Sequence, residues 1–218
     1  MSLTLYGAIL SPYVRKIRIQ LAEQSIPHEL VEQAPFNQPD WYFEISPLGR
    51  IPAIRDGDLT LADSGVIGQY LQETRGGAPM YGQTPAEAAR VRWLEKYADY
   101  EIGPLATHTV FINRVLKPVT GGQCDDVAVD RALQELPKLF DYLEAQLGDR
   151  HFFLGEQFSM ADIAVCSQLI NLAHAGELID ELAWPNLSSL LSRVSARSSV
   201  SSLLPAEHQL VARLTGRV

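Results

Sequence analysis

The sequence predicts an α/β domain followed by an all-helical domain. In the first 75 residues short β-prone runs alternate with helical patterns, and beyond residue 85 only helical patterns occur. Segment 75–85 holds Gly76-Gly77, two prolines and Gly82, a composition typical of a linker. We therefore place the first domain at 1–76, the linker at 77–84 and the helical domain at 85–218.

The first domain should contain a small mixed sheet with helices on both of its faces. The predicted order is β-α-β-α-β-β-α, with strands at 3–6, 27–31, 53–55 and 59–61. Ser11-Pro12 opens the first helix, and Val14, Ile17 and Leu21 follow at spacings of three and four residues, which puts them on one face. The other two helices are predicted at about 40–45 and about 63–74.

The helical domain is predicted to contain helices at about 86–116, 126–147, 159–173, 186–196 and 205–214. At the start of the helix at 159, Ser159 and Asp162 have the spacing of a capping box. Phe158 and Ile163 stand at the two positions of a hydrophobic staple. We interpret this motif as a structural helix start without a catalytic role.

Composition and charge narrow the functional classes. Hydrophobic residues make up 46% of the chain and charged residues 20%, which is typical of a folded globular protein. The net charge of −8 argues against nucleic-acid binding, which requires clustered positive charge. The one basic cluster, Arg15-Lys16-x-Arg18, is too short for such a surface, and we expect it on the solvated face of its helix.

The chain shows no signal for a membrane, a disulfide, a metal or a nucleotide. No apolar run approaches the ~20 residues of a membrane span, and residues 1–4 do not resemble a signal peptide, so we expect a cytoplasmic protein without a membrane partner. Cys124 and Cys166 are far apart, which suits a reducing compartment. The five histidines lack ligand spacing, and neither a dinucleotide fingerprint nor a P-loop is present.

Several motifs in a fixed order resemble the cytosolic glutathione transferases. They are LYG at 5–7, SPYVRKIR at 11–18, SPLGRIPAI at 46–54, LADS at 61–64, FSMADI at 158–163 and WPNL at 184–187. The resemblance spans about residues 3–200 and is to Ser-type members, theta- or tau-like and of bacterial type. It implies a thioredoxin-like domain that binds glutathione as cosubstrate, and a helical domain that supplies the pocket of the second substrate.

The resemblance makes Ser11 the candidate catalytic residue. In Ser-type relatives the equivalent hydroxyl donates a hydrogen bond to the glutathione thiolate, and the positive end of the helix favours the same negative charge. Ser11 followed by Pro12 is also an ordinary way for a helix to begin, without any chemistry. Tyr6 is the rival, because some classes of the family use a tyrosine at the end of the first strand.

The resemblance also assigns residues that bind glutathione. Ile51 precedes Pro52 in a cis-proline element, and its backbone pairs with the cysteinyl unit as an added strand would. Asp63 and Ser64 bind the γ-glutamyl end, where Asp63 is shorter than the usual Glu or Gln of relatives. The weaker candidates for the glycyl end are Gln38 and Arg50. Candidates for lining the second pocket are Tyr97, Tyr100, His108 and Phe111.

The expected function is glutathione transfer to small hydrophobic electrophiles, with peroxide reduction as a further activity of the same thiolate. The resemblance implies a homodimer in which the first domain of one subunit packs on the helical domain of the other. Two other functions stay open at the level of sequence. One is a non-catalytic interaction protein of the stringent starvation type, and the other is a glutathione-dependent isomerase.

Overall fold

A four-stranded mixed sheet forms the centre of the first domain. The computed structural model describes residues 3–216. Its strands are β1 (Leu3–Tyr6), β2 (His28–Val31), β3 (Ala53–Asp56) and β4 (Leu59–Ala62). They lie in the order β2-β1-β3-β4, with β1 parallel to β2 and antiparallel to β3. With the helices described next, this is a thioredoxin-like arrangement, and it confirms the predicted fold class.

Helices cover the sheet on both faces because side chains alternate along each strand. Leu5 of β1 packs with Val14 and Ile17 of α1 (Pro12–Glu23) and with Ile67 of α2 (Ser64–Arg75). The next side chain, Tyr6, points to the opposite face and packs with Tyr42 of a 3₁₀ helix, Asp40–Glu44. The apolar face predicted for the first helix is therefore confirmed.

Helices build most of the second domain. Its α-helices in the described part of the chain are α3 (Pro85–Tyr97), α4 (Asp126–Leu147), α5 (Met160–His174), α6 (Pro185–Ala196), α7 (Ser198–Ser201) and α8 (Leu204–Thr215). Helix α5 is buried along almost its whole length and packs against α1, α3 and α6. Asp162 in its first turn accepts hydrogen bonds from the backbone N–H and hydroxyl of Ser159. The predicted capping box is therefore present.

The segment predicted as helical over about 86–116 is helical, but it is not one regular α-helix. After α3 the chain continues as two π-helical segments, Ala98–Ile102 and Pro104–Leu116. The wide turns show in backbone hydrogen bonds that span five residues, such as the 2.8 Å bond from the Lys117 N–H to the Ile112 carbonyl. Pro104 has no N–H to donate to the preceding turn, so a regular α-helical ladder cannot run through it.

The expectation that the basic cluster on α1 faces solvent is also wrong. Arg15 and Lys16 are fully buried between the two domains. The guanidinium of Arg15 pairs with Glu207 on α8, where the Nε to Oε1 distance is 3.0 Å. The Lys16 ammonium lies 2.9 Å from Oε1 of Glu95 and 2.6 Å from Oδ2 of Asp99. Burial by itself lowers the pKa of Lys16, but the carboxylates of Asp99 and Glu95 together outweigh it, so the pKa is raised. The ion pairs fix α1 against the helical domain.

The ion pairs of Lys16 predict a large loss of stability in Lys16→Met. The substitution leaves the carboxylates of Glu95 and Asp99 buried without a cation, which should lower the free energy of unfolding by about 3–5 kcal/mol. Urea unfolding measures this loss. Lys138→Met on exposed α4 is the matched control and should change stability by less than about 0.5 kcal/mol. Equal stability of the two variants would contradict the account of the buried cluster.

Candidate functional site

The strand register brings the main candidate residues to one end of the sheet. Tyr6, the last residue of β1, pairs with Ala53 at the start of β3, and Ala53 pairs with Ala62 at the end of β4. The segments that follow β1, precede β3 and follow β4 therefore meet at the same edge. They carry Ser11, Ile51-Pro52 and Asp63-Ser64, respectively.

Ser11 caps the N-terminus of α1 and keeps its hydroxyl proton available. Its backbone is extended, with φ −73° and ψ 124°, and its Oγ accepts a hydrogen bond of 3.4 Å from the Val14 N–H. Capping uses only a lone pair of the oxygen, and within residues 3–216 the hydroxyl donates to no acceptor. The helix-cap and the catalytic interpretation of Ser11 are therefore compatible.

Tyr6 lies in a different environment from Ser11. Its side chain is 7% exposed and belongs to the small core under the 3₁₀ helix. Its ring centroid is 6.1 Å from that of Trp41 and 6.2 Å from that of Tyr42. The Tyr6 ring therefore packs on the face of the sheet opposite α1.

The loop before β3 holds the backbone of Ile51 in place and leaves it unpaired. The peptide bond between Ile51 and Pro52 is cis. Ser46 accepts a hydrogen bond from the Arg50 N–H at 2.9 Å and donates one to the Arg50 carbonyl at 2.8 Å. The N–H and C=O of Ile51 itself make no hydrogen bond in the described part of the chain. A polar backbone pair in this state can receive the backbone of a peptide ligand.

Tyr42 is a supporting residue that sequence reasoning missed. Its hydroxyl donates to the Arg50 carbonyl at 2.9 Å, beside the bond from Ser46. Burial raises the pKa of Tyr42 to about 12, so the hydroxyl stays protonated and keeps donating at neutral pH. The sequence carried no signal for this contact beyond a tyrosine within a predicted short helix.

At the start of α2, one polar side chain caps the helix and the next has no hydrogen-bond partner in the described chain. Oδ1 of Asp63 accepts from the N–H groups of Gly65 at 2.9 Å and Val66 at 3.2 Å, so Asp63 is the N-cap. Its backbone has φ 81° and ψ 118°, a strained conformation for a residue with a side chain. Ser64 is 5% exposed, and no group within residues 3–216 hydrogen-bonds its hydroxyl.

The two weaker candidates, Gln38 and Arg50, differ in their contacts: the side chain of Gln38 is hydrogen-bonded and that of Arg50 is not. Nε2 of Gln38 donates to the Gly49 carbonyl at 2.6 Å, and Gly49 has φ +63°. Gln38 thus holds the turn before Arg50. The Arg50 guanidinium is exposed, and the described residues offer it neither a hydrogen bond nor an ion pair.

The candidates for the second pocket fall into distinct environments. The ring of His108 lies 5.9 Å from that of Tyr13 in the first turn of α1. Phe111 is buried in the helical core, and Tyr97 packs on Tyr142 with a centroid distance of 4.7 Å. Tyr100 is exposed. Of these side chains, His108 is therefore the one in ring contact with the helix that carries Ser11.

Three further features of the described chain bear on the site. A cavity of 570 Å³ between α5, α6 and α8 includes none of the candidate positions. Within residues 3–216, His, Cys, Asp and Glu side chains form no cluster suited to a metal ion. None of the helices in this range has the length and apolar character required to cross a membrane.

Comparison with known proteins identifies the family. The family sequence model of the glutathione S-transferase N-terminal domain matches residues 5–79. The family sequence model of the C-terminal domain matches residues 126–193. A glutathione S-transferase of Hyoscyamus muticus is 31% identical over 169 residues, which cover 75% of this chain and 79% of the relative. The chain belongs to the glutathione S-transferase family.

Further glutathione S-transferases match over nearly the full length. GstB of Escherichia coli strain K12 is 28% identical, and the match covers 93% of this chain and 97% of GstB. A crystal structure of a glutathione S-transferase from Rhodospirillum rubrum F11 superposes with a TM-score of 0.86 at 26% identity. It covers 93% of this chain and 91% of its own.

Proposed function

We propose that this protein is a glutathione transferase in which Ser11 stabilises the glutathione thiolate. The observation that carries the proposal is the set of uncommitted polar groups at one edge of the sheet. The Ser11 hydroxyl proton, the Ile51 backbone and the Ser64 hydroxyl lack partners in the described chain and meet at that edge. Buried and half-buried polar groups are normally paired, so a peptide-like ligand accounts for the set.

Each part of glutathione has a chemical counterpart at this edge. The cysteinyl backbone pairs with the N–H and C=O of Ile51, as in strand addition. The γ-glutamyl carboxylate meets the Ser64 hydroxyl at the N-terminus of α2, where the helix dipole favours an anion. Asp63 caps α2 through Oδ1, which leaves Oδ2 for the ligand ammonium. Arg50 is a cation for the glycyl carboxylate.

The hydroxyl of Ser11 can supply the thiolate stabilisation that the reaction requires. A free thiol has a pKa of about 8.5, and each unit of lowering requires about 1.4 kcal/mol of preferential stabilisation of the thiolate. A charge-assisted hydrogen bond contributes about 1.5–3 kcal/mol, equivalent to one or two units. The thiol proton passes to water. The thiolate sulfur then forms a bond to the electrophilic carbon, and a leaving group such as a halide departs with its bonding electrons. With a hydroperoxide, the thiolate attacks the terminal oxygen, the O–O bond breaks, and the alkoxide takes a proton from water. A second glutathione then converts the sulfenic acid to the disulfide and water.

The second substrate would approach from the helical domain. His108 and Tyr13 face each other where the π-helical segment Pro104–Leu116 passes the first turn of α1. A small hydrophobic electrophile at this position would lie next to the thiolate held by Ser11, so that catalysis combines proximity with electrostatic stabilisation.

A cytoplasmic homodimer is the form in which we propose that the protein acts. Both cysteines, Cys124 and Cys166, are free, as suits a compartment that keeps glutathione reduced. Large apolar side chains are exposed on the α/β domain at Phe36, Trp41, Phe43 and Leu48, and on α3 at Trp93. Packing the first domain of one subunit on the helical domain of the other would remove such surfaces from water.

Ser11→Ala tests the proposed function directly. Turnover with an electrophile such as an activated aryl halide should fall about 10–100-fold at neutral pH, because about 1.4–2.7 kcal/mol of thiolate stabilisation is lost. The deficit should shrink as pH rises, since hydroxide then supplies the thiolate. Calorimetry should find glutathione binding nearly unchanged, because Ile51 and Ser64 hold the ligand.

Two variants serve as controls for Ser11→Ala. Ser202→Ala removes an exposed hydroxyl from the helical domain and should keep full activity. Tyr6→Phe removes the rival hydroxyl and should change turnover by less than about twofold if Ser11 is the donor. Full activity of Ser11→Ala at neutral pH, together with a loss in Tyr6→Phe, would refute the assignment to Ser11.

The homodimer makes a separate prediction for sedimentation. The wild-type protein should sediment at twice the mass of one 24.1 kDa chain at micromolar concentration. Leu48→Asp places a charge on the 75% exposed Leu48 and should weaken the dimer at least tenfold, or about 1.4 kcal/mol. Leu182→Asp, at an 89% exposed residue of the helical domain, is the matched control and should leave the mass unchanged. A 24.1 kDa wild-type species would refute the dimer.

A further inference from the structure

Lys96 of α3 places its ammonium against the first turn of α2. A Cβ atom built on Gly65 would lie only 2.8 Å from Nζ of Lys96. The same atom would lie 3.3 Å from Oδ1 of Asp63 and 3.5 Å from Oε1 of Glu95. The ammonium of a residue from the helical domain thus occupies space next to Asp63 and Ser64 that a side chain at position 65 would fill.

Within the described chain this ammonium has no carboxylate partner. Its contacts are the Tyr100 hydroxyl at 3.4 Å and the Tyr100 ring, whose centroid is 5.0 Å away. The nearby acids are already engaged, because Glu95 and Asp99 pair with Lys16 and Oδ1 of Asp63 caps α2. Lys96 is half-buried, so water screens its charge only in part.

A second and independent feature at the same point favours an anion. Ser64, the first residue of α2, is 5% exposed and its hydroxyl lacks a partner among residues 3–216. The N-terminus of a twelve-residue helix adds its positive end to the ammonium of Lys96. The first turn of α2 therefore carries a buried hydroxyl and the positive end of the helix, and the ammonium of Lys96 lies against the same turn.

We propose that Lys96 binds the α-carboxylate of the γ-glutamyl unit of glutathione. The inference rests on the proposed function and adds to it a binding residue from the helical domain. The ligand ammonium would be repelled by Lys96 and is left to Asp63. The glycyl carboxylate lies at the opposite end of the tripeptide, near Arg50. Glutathione held in this way bridges the two domains, with Gly65 as the residue that leaves room for the bridge.

The role of Lys96 is in binding and not in the chemical step. Its loss should therefore raise the KM for glutathione and leave kcat at saturating glutathione within about twofold of wild type. A residue that supported only the fold would instead alter stability, or KM and kcat together. Lys96→Arg keeps the charge and should retain most of the affinity.

The test pairs Lys96→Met with a ligand that lacks the same carboxylate. The probes are glutathione and γ-aminobutyryl-cysteinylglycine, which keeps the amine and has hydrogen in place of the α-carboxylate. Titration calorimetry should find glutathione binding to Lys96→Met about 10–100-fold weaker than to wild type, the range expected for one charge-assisted contact. Affinity for the analogue should be the same in both proteins. Lys138→Met, with an exposed lysine on α4, should match wild type for both ligands.

A second variant tests the geometry without removing the charge. Gly65→Ala introduces the Cβ that would meet Nζ of Lys96, and the flexible lysine must move away. Glutathione should bind this variant more weakly than wild type, with little change for the analogue.

The outcomes separate the two proposals. If Lys96→Met prefers glutathione over the analogue as strongly as wild type does, Lys96 is not the carboxylate partner, although the protein still binds glutathione. If wild type binds neither ligand, the proposed function fails, and the assignment of Lys96 fails with it.

Discussion

The burial of Arg15 and Lys16 on α1 is the constraint on which the rest of the structure depends. Two cations in the interdomain interior are costly unless carboxylates neutralise them, and here Glu207 does so for Arg15 while Glu95 and Asp99 do so for Lys16. These pairs tie α1 to α3, the following π-helical segment and α8. The N-terminus of α1, and with it Ser11, is thereby held at the edge of the sheet between the domains. The same pairing engages Glu95 and leaves the adjacent Lys96 free to face α2.

The site depends on which polar groups the fold leaves without partners. The hydroxyls of Ser46 and Tyr42 make the hydrogen bonds of the Arg50 backbone. The backbone of the next residue, Ile51, has no hydrogen-bond partner in the described chain. At α2, Asp63 satisfies two N–H groups and the neighbouring Ser64 is left open. Along the same loops, polar groups that have hydrogen-bond partners alternate with polar groups that lack them. The first kind makes the loops rigid. Under the proposed function, the second kind binds glutathione, and binding then requires little rearrangement.

Sequence patterns correctly predicted those parts of the fold that depend on interactions between residues close together in the chain. The strands, the apolar face of Val14, Ile17 and Leu21, and the caps at Ser11 and Ser159 all follow from residues within a few positions of each other. Arg15 and Lys16 could not be predicted as buried, because their partners lie 192 and 79 residues further along the chain. The contact between Lys96 and Gly65 depends in the same way on domain packing. The bond from Tyr42 to Arg50 spans only eight residues but requires the loop conformation that the sequence does not specify.

The central claim is that the start of α1 favours the thiolate form of bound glutathione. This preference can be measured without any second substrate, by following the ultraviolet absorbance of the thiolate in the wild-type binary complex as pH is changed. The protein is kept in excess, so that the glutathione present is bound. The account predicts that the pKa of the bound thiol lies about one to two units below the value of about 8.5 for a free thiol. A bound thiol that titrates at the same pH as free glutathione would contradict it.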